Sequence, residues 1–249
     1  MILLVDIGNT NTHVGLANER RLLRQIDLPT ADFFKGTAAQ RLRIFIGRNH
    51  LQRAAICSVV PQATPKVRSA LRKLWNLRAQ ELTPKTLRGV GIDYPQPNSI
   101  GADRLANAAA ARHHFGAPVV VVDFGTAVTF DVVDRYGNYA GGIIAPGLAA
   151  MTDYLHERTA LLPRLKIREI DSTIGKSTKQ AMLIGAVHGY RGLIRELITR
   201  LRRELKAARL PVVATGSYAR LLATKMPEIT RVEPHLTLEG LRLIFREQQ

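Results

Sequence analysis

With 249 residues, the chain has room for one large domain or two of ordinary size. Its 46% hydrophobic and 22% charged residues exclude disorder, collagen-like sequence and a disulfide scaffold. A formal charge of +16 admits nucleic acid, an acidic membrane or a polyanionic small molecule such as a nucleotide as partner.

The elements follow in chain order. Ile2 to Ile7 reads as a buried strand, followed by a Gly-Asn-Thr turn and a second strand from Thr12 to Ala17; Leu22 to Leu28 supplies a third. A helix is expected from about Gly36 to Arg48, then a strand from Ala54 to Val59 and a helix from Pro61 to near Trp75. Thr83 to Ser99 carries Pro84, Gly89, Gly91, Pro95 and Pro97 and must be loop. A helix follows from Ala102 to about His114, ended by Gly116.

Then the opening repeats. Val119 to Asp123 is an apolar strand ending in aspartate, Ala127 to Val133 a second, and Tyr139 to Ala145 a third. Both copies read strand, Asp, hydrophobe, Gly, Thr, strand: Asp6-Ile7-Gly8-Asn9-Thr10 and Asp123-Phe124-Gly125-Thr126. Helices are expected from Lys176 to Ala207, a strand at Val212 to Thr215, and a closing helix from near Leu238. Two three-strand meanders, each followed by helices and strands, imply a duplicated α/β fold with halves 1–117 and 118–249.

The basic residues are spread out. Leu193, Ile194, Leu197, Ile198, Leu201 and Leu205 form a buried stripe in the segment holding Arg195 to Arg209, and the charges occupy its other face. Solvated helix faces explain this better than a nucleic-acid groove, and no zinc finger, helix-turn-helix or interleaved aromatics argue otherwise. The same stripe reads as core rather than as a membrane-surface face. The lone Cys57 sits among Ala54, Ala55 and Ile56 and reads as a small buried hydrophobe in a reducing cytoplasm. The first apolar run stops at Val5, too short for an export signal, and Val119 to Val122 is too short to span a bilayer. A cytoplasmic protein is expected.

Each hairpin is a candidate phosphate grip. A glycine in a tight turn lets backbone N–H groups approach an anion, and Asn9, Thr10 and Asn11 add side-chain donors. Asp6, at a strand end, suits magnesium held through water. Gly-Asn is also what an ordinary hairpin turn wants, so the recurrence at Asp123 carries the functional reading. Asp103 and Arg104 open a helix: an aspartate there serves the helix terminus, or stands as a carboxylate at a site edge beside an arginine that fixes an acidic substrate. Residue types alone do not choose between these. Gly175-Lys176-Ser177 imitates the tail of a P-loop, but Ile170 occupies the required glycine position and no apolar strand feeds it. The seven histidines show no metal-ligand spacing.

In this order, Asp6-Ile7-Gly8-Asn9-Thr10, Gly101-Ala102-Asp103-Arg104-Leu105-Ala106-Asn107 and Asp123-Phe124-Gly125-Thr126-Ala127 resemble the type III pantothenate kinases. So do Gly141-Gly142, Pro146-Gly147, Leu161-Leu162-Pro163, Gly175-Lys176-Ser177-Thr178 and Leu236-Thr237-Leu238-Glu239-Gly240-Leu241. The resemblance covers nearly the whole chain. It implies the acetate/sugar-kinase/actin superfold, with two ribonuclease-H-like halves whose mixed sheets are flanked by helices and whose hairpins face each other across the phosphates. It implies ATP-dependent phosphorylation of pantothenate to 4'-phosphopantothenate, the first step of coenzyme A biosynthesis, and a homodimer with the pantothenate pocket at the subunit interface. It assigns Asp6, Ile7, Gly8, Asn9, Thr10, Asn11, Thr12, His13 and Thr126 to ATP, and Asp103 as general base. Tyr94, Gly101, Ala102, Asp103, Arg104 and Thr178 fall to pantothenate, and Asp123 to potassium or ammonium. Thr215-Gly216-Ser217-Tyr218 departs from the family, which has a second glycine where Ser217 stands, so the adenosine end is expected to be less open. A sugar kinase or phosphatase of the same superfold should lack Gly-Ala-Asp-Arg at this place. A regulatory nucleic-acid-binding protein on a kinase scaffold, suggested by the charge, should bind DNA with steep salt dependence.

Overall fold

The computed structural model describes residues 1–246 and divides into two units. The first comprises Met1–His114 and the stretch beginning at His235; the second is Phe115–Pro234.

In the first unit, β1 (Ile2–Ile7), β2 (Asn11–Ala17) and β3 (Leu22–Pro29) form an antiparallel meander. Two short helices follow, α1 (Ala31–Lys35) and α2 (Ala38–Ile46), then β4 (Arg53–Ser58), α3 (Thr64–Trp75) and β5 (Ala79–Glu81). The single helix expected from Gly36 is two, because Gly36 takes a left-handed φ of 76° that ends α1. The loop beyond β5 holds only a two-residue strand, β6 (Gly91–Ile92), and a 3₁₀ turn (Pro97–Ser99) before α4 (Ala102–Phe115). Strand order is β3-β2-β1-β4-β5, with β4 parallel to β1 and β5 parallel to β4. Every residue of β1 is buried, Asp6 included, as the apolar run Ile2 to Val5 demands of a central strand covered on both faces. Leu3, Val5 and Ile7 share one core with Phe33, Leu42 and Val67 from the helices.

The second unit repeats this plan. It contains β7 (Val119–Phe124), β8 (Ala127–Val133), β9 (Asn138–Pro146), α5 (Leu148–Arg158), α6 (Thr178–Ile184), α7 (Tyr190–Glu204), β10 (Val212–Thr215), α8 (Ala219–Ala223) and β11 (Arg231–Val232). Its strands run β9-β8-β7-β10-β11, with an antiparallel meander continued by two parallel strands. A π-helical turn, Gly185–Gly189, joins α6 to α7. Ile194 and Ile198 of α7 pack into the core with Val120, Val122 and Phe130, and Leu197, Leu201 and Leu205 are partly buried against it; Leu193, expected in the same stripe, is exposed because it lies at the edge of that face. Helix α5 has no counterpart among the elements expected from the sequence; only Leu148 and Thr152 are buried along it, leaving no stripe to read.

The last helix, α9 (Leu236–Phe245), lies on β1, β2 and β4 and belongs to the first unit, whereas the sequence pattern runs the second half to 249. Its Leu238, Leu241 and Ile244 are buried, and a Cβ on Gly240 would strike the Ala106 carbonyl of α4. The seam falls between His114 and Phe115. No described helix is long and apolar enough to cross a membrane.

Candidate active site

The first hairpin turn is held from behind. Gly8 N–H donates to the Asn11 carbonyl at 3.0 Å, and a Cβ on Gly8 would come within 2.9 Å of that oxygen. Thr30, at the end of β3, donates its hydroxyl to the Gly8 carbonyl at 2.7 Å and its N–H to the Thr10 carbonyl at 3.0 Å. Thr12 meets the Thr30 hydroxyl at 3.0 Å. Thr12 and Ile7 are fully buried, so their share in a phosphate site is the shape of the turn, while Asn9, Thr10 and Asn11 stand exposed at its tip. Thr30 carries no signal in the sequence, because its partners lie about twenty residues away.

Strand register then lines up a polar row. Asp6 is opposite His13 on β2 and Cys57 on β4, and His13 is opposite Asp27 on β3. Directly opposed residues project from the same sheet face, so these four share one. The Cys57 thiol is pushed up by burial first, and then by the Asp6 and Asp103 carboxylates, with Asp6 hydrogen-bonded to it. Asp6 thus faces Cys57 across the sheet, and the Asp103 carboxylate acts on the same thiol electrostatically. Cys57 is buried, as its apolar sequence neighbours imply; its acidic neighbours are additional and come from distant segments.

Asp103 sits in the first turn of α4. Its Oδ1 accepts the Arg104 N–H at 2.8 Å and lies where a Cβ on Gly101 would be only 2.5 Å away, so glycine is what lets the carboxylate fold back. Burial raises the Asp103 pKa, against the lowering pull of the Arg104 N–H bond and the Arg104 charge. Both readings of this residue therefore have a basis: one oxygen serves the helix end, and the acid is also perturbed as proton-transfer groups are. Ala102 is buried beside it, Arg104 is half-buried, and Tyr94 is exposed on the preceding loop.

In the second unit the Phe124–Ala127 turn is built on glycines. Gly125 N–H donates to the Ala127 carbonyl at 3.1 Å, and Gly147 N–H to the Thr126 carbonyl at 3.1 Å. Gly216, with φ 88°, places its α-carbon so close that a Cβ would lie 2.5 Å from Asp123 Oδ1 and 2.7 Å from the Phe124 backbone. Within Thr215-Gly216-Ser217-Tyr218, then, the indispensable glycine is present, and Ser217 is exposed beyond it. Thr178 is exposed at the start of α6. The P-loop lookalike is a helix cap: Ser177 Oγ accepts the Gln180 N–H at 3.3 Å, and Gln180 accepts the Lys176 N–H at 2.9 Å. Among the described residues no group of three or more His, Cys, Asp or Glu is placed to hold a metal.

Within each unit five strands follow one order, an antiparallel meander continued by two parallel strands and opening on an Asp-x-Gly hairpin, which is the fold of the acetate/sugar-kinase/actin superfold. The fold is similar to that of an inorganic polyphosphate/ATP-glucomannokinase from Arthrobacter, with TM-score 0.50 and 13% identity over 97% of this chain and 96% of that one. The family model of type III pantothenate kinase matches residues 2–200. Proteins named type III pantothenate kinase from Akkermansia muciniphila and Methylacidiphilum infernorum are 45% and 42% identical. The alignments cover 97% of this chain and 96% of the first, and 98% of this chain and 87% of the second. The chain belongs to the type III pantothenate kinase family. It is a phosphotransferase of coenzyme A biosynthesis, and pantothenate is its acceptor.

Proposed function

We propose that the γ-phosphoryl group of ATP passes to the 4'-hydroxyl of pantothenate with Asp103 as general base. The observation behind this is the Asp103 carboxyl itself, perturbed upward by burial and aimed by Gly101 and the α4 terminus. Phosphoryl transfer needs an aligned hydroxyl, a base for its proton and neutralised phosphate charge. Asp103 takes the proton. Asn9, Thr10, Asn11 and His13 contact the phosphates, Ile7, Gly8 and Thr12 hold the turn beneath them, and Thr126 adds a contact to ATP. Gly101, Ala102, Arg104, Tyr94 and Thr178 seat pantothenate, whose carboxylate suits the Arg104 guanidinium. Magnesium keeps several waters and takes one or two carboxylates beside substrate phosphates, which fits the lone carboxylate of Asp6 at its strand end. Asp123, a hard oxygen donor at the end of β7, fits potassium or ammonium. Either ion would neutralise phosphate charge. The reaction is assigned to the cytoplasm, where the lone buried Cys57 needs no partner.

The test is ADP formation by purified protein, with and without pantothenate, in potassium, ammonium or sodium salts. Turnover is expected only with pantothenate, and to fall in sodium; Asp123→Ala should flatten that cation dependence. ATP consumption indifferent to pantothenate would refute the acceptor, and full activity in sodium alone would remove the role of Asp123.

The protein also acts as a homodimer in this reading. Support comes from large apolar side chains left in solvent on the second unit: Ile144 on β9, Tyr154 and Leu155 on α5, Leu161 beyond it and Leu193 on α7. Leu161 is 89% exposed. Leu193 is the one member of the expected α7 stripe that reaches this surface; Ile194 and Ile198 are spent on the core of their own unit. Light scattering should report a dimer, and Tyr154→Glu with Leu161→Glu should yield an inactive monomer. A monomer with full kcat would count decisively against the dimer.

A further inference from the structure

We propose that the cavity at the far end of α4 is a binding site for a phosphate-bearing anion, separate from the kinase site. Its volume is about 480 Å³, the size of a small-molecule pocket. Arg88 lines it from the loop between β5 and β6, Arg112 and His113 from α4, and Leu243 and Arg246 from the end of α9. All of these belong to the first unit. Arg112 stands nine residues beyond Asp103 along α4, about 14 Å of helical rise, so the cavity lies apart from the carboxylate assigned to proton transfer.

The charge of the cavity is of one sign. Three arginines line it, and no carboxylate does among the described residues. The Arg246 side chain has no ion pair among those residues. Arg88 donates to the carbonyls of Lys85 at 3.2 Å and Leu87 at 2.8 Å, and Arg112 to that of Gly89 at 2.6 Å. A carbonyl fixes a guanidinium without neutralising it and leaves other N–H donors of the fork unused. Glu239, a carboxylate that acts on His113, is already bonded to Arg242 at 2.6 Å and to His114 at 3.1 Å. Desolvation first, and then the charges of His114, Arg246 and Arg242, lower the His113 pKa against the opposite pull of Glu239, as a positive potential requires.

Basic side chains at a helix C-terminus ordinarily offset the helix dipole, and α4 and α9 both end here. Two such ends carry roughly one negative charge together, against three guanidiniums. About two positive charges stay unmatched, and a phosphate group at neutral pH carries about −1.5 to −2. The arginines also arrive from three different elements. A tetrahedral phosphate offers oxygens in as many directions, whereas a carboxylate offers two in one plane.

The experiment titrates pyrophosphate, inorganic phosphate and citrate into the full-length protein by calorimetry and follows the His113 ring resonance by NMR, assigned with His113→Gln. That resonance reports the cavity, so phosphate held at the hairpins does not interfere. Pyrophosphate should move it and bind more tightly than phosphate, with citrate weakest. Arg88→Gln and Arg246→Gln should each weaken pyrophosphate binding there about tenfold, the size of one charge-assisted hydrogen bond, with kcat unchanged. Arg112 is left in place because its bond to Gly89 braces the loop. The control, Arg43→Gln/Arg203→Gln, removes two exposed charges elsewhere and should bind as wild type does. A His113 resonance indifferent to pyrophosphate, or unchanged binding in both cavity variants, overturns the site. An equal loss in the control overturns it in favour of diffuse attraction to a chain of charge +16. Citrate binding as tightly as pyrophosphate overturns the assignment to phosphate.

Discussion

Asp103→Asn is expected to lower kcat by about 10²–10⁴ while the protein remains folded and dimeric. Asparagine keeps the size of the side chain and can accept the Arg104 N–H that Asp103 Oδ1 now accepts at 2.8 Å, so the helix terminus survives. It cannot take a proton from the pantothenate hydroxyl. The loss should appear in kcat rather than only as a raised KM. The pH profile adds a second reading. Because burial raises the Asp103 pKa, the wild-type acid limb should lie above the ordinary carboxyl value of 3.8, with activity lost as pH falls through it. Stability follows the opposite sign: a raised folded pKa favours the protonated acid, so this contribution is present at low pH and lost as pH rises. Asp103→Asn should therefore be no less stable than wild type at pH 7. A folded Asp103→Asn enzyme within a few-fold of wild-type kcat would leave Asp103 as a helix-end residue only.

Arg191→Ala should cost about 3–5 kcal/mol of stability, because it takes the donor from the part-exposed Glu169 carboxylate and from two α8 carbonyls at once, each loss worth about 1–3 kcal/mol. For a chain of this size that lowers Tm by roughly 6–20 °C. The Arg191 side chain, 4% exposed, grips Glu169 with both terminal nitrogens, at 2.9 Å and 2.6 Å. It also donates to the carbonyls of Leu221 at 2.7 Å and Leu222 at 3.2 Å on α8. One guanidinium thereby ties α7, α8 and the irregular stretch before α6. The Arg191 hydrogen bonds hold Glu169 down at about 2 from an ordinary 4.5. Its contribution is thus present above pH 4.5 and fades as pH falls toward 2. Thermal unfolding of Arg191→Ala and Glu169→Gln checks this. Glu169→Gln should be milder at neutral pH, because the Gln carbonyl still accepts from the guanidinium, and should flatten the acid slope. A Tm for Arg191→Ala within about 2 °C of wild type would refute the clamp.

Much of the site is legible in the residues alone. The run Ile2 to Ile7, carrying Asp6 ahead of Gly8, announces a central strand feeding a tight turn, and its echo at Val119 to Gly125 announces duplication. Those features are local: a buried strand needs consecutive apolar residues, and a tight turn needs glycine. The bracing of the turn by Thr30, the cross-strand meeting of Asp27 with His13, and the approach of Asp6 and Asp103 to Cys57 all depend on register between distant segments. Helix α5, with two buried positions, leaves no period to detect.

The sequence by itself determined the class of fold, the family and the two hairpins, because each is written in short-range pattern and in motifs whose spacing is set by backbone geometry. Only tertiary structure decided that α9 returns to the first unit, where Gly240 admits the Ala106 carbonyl, and that Gly216 closes on Asp123. It also separated the buried stripe of α7 from the apolar side chains left in solvent around α5. Periodicity says that a face is apolar; which surface covers it is a long-range matter, settled only when the sheets and helices have packed.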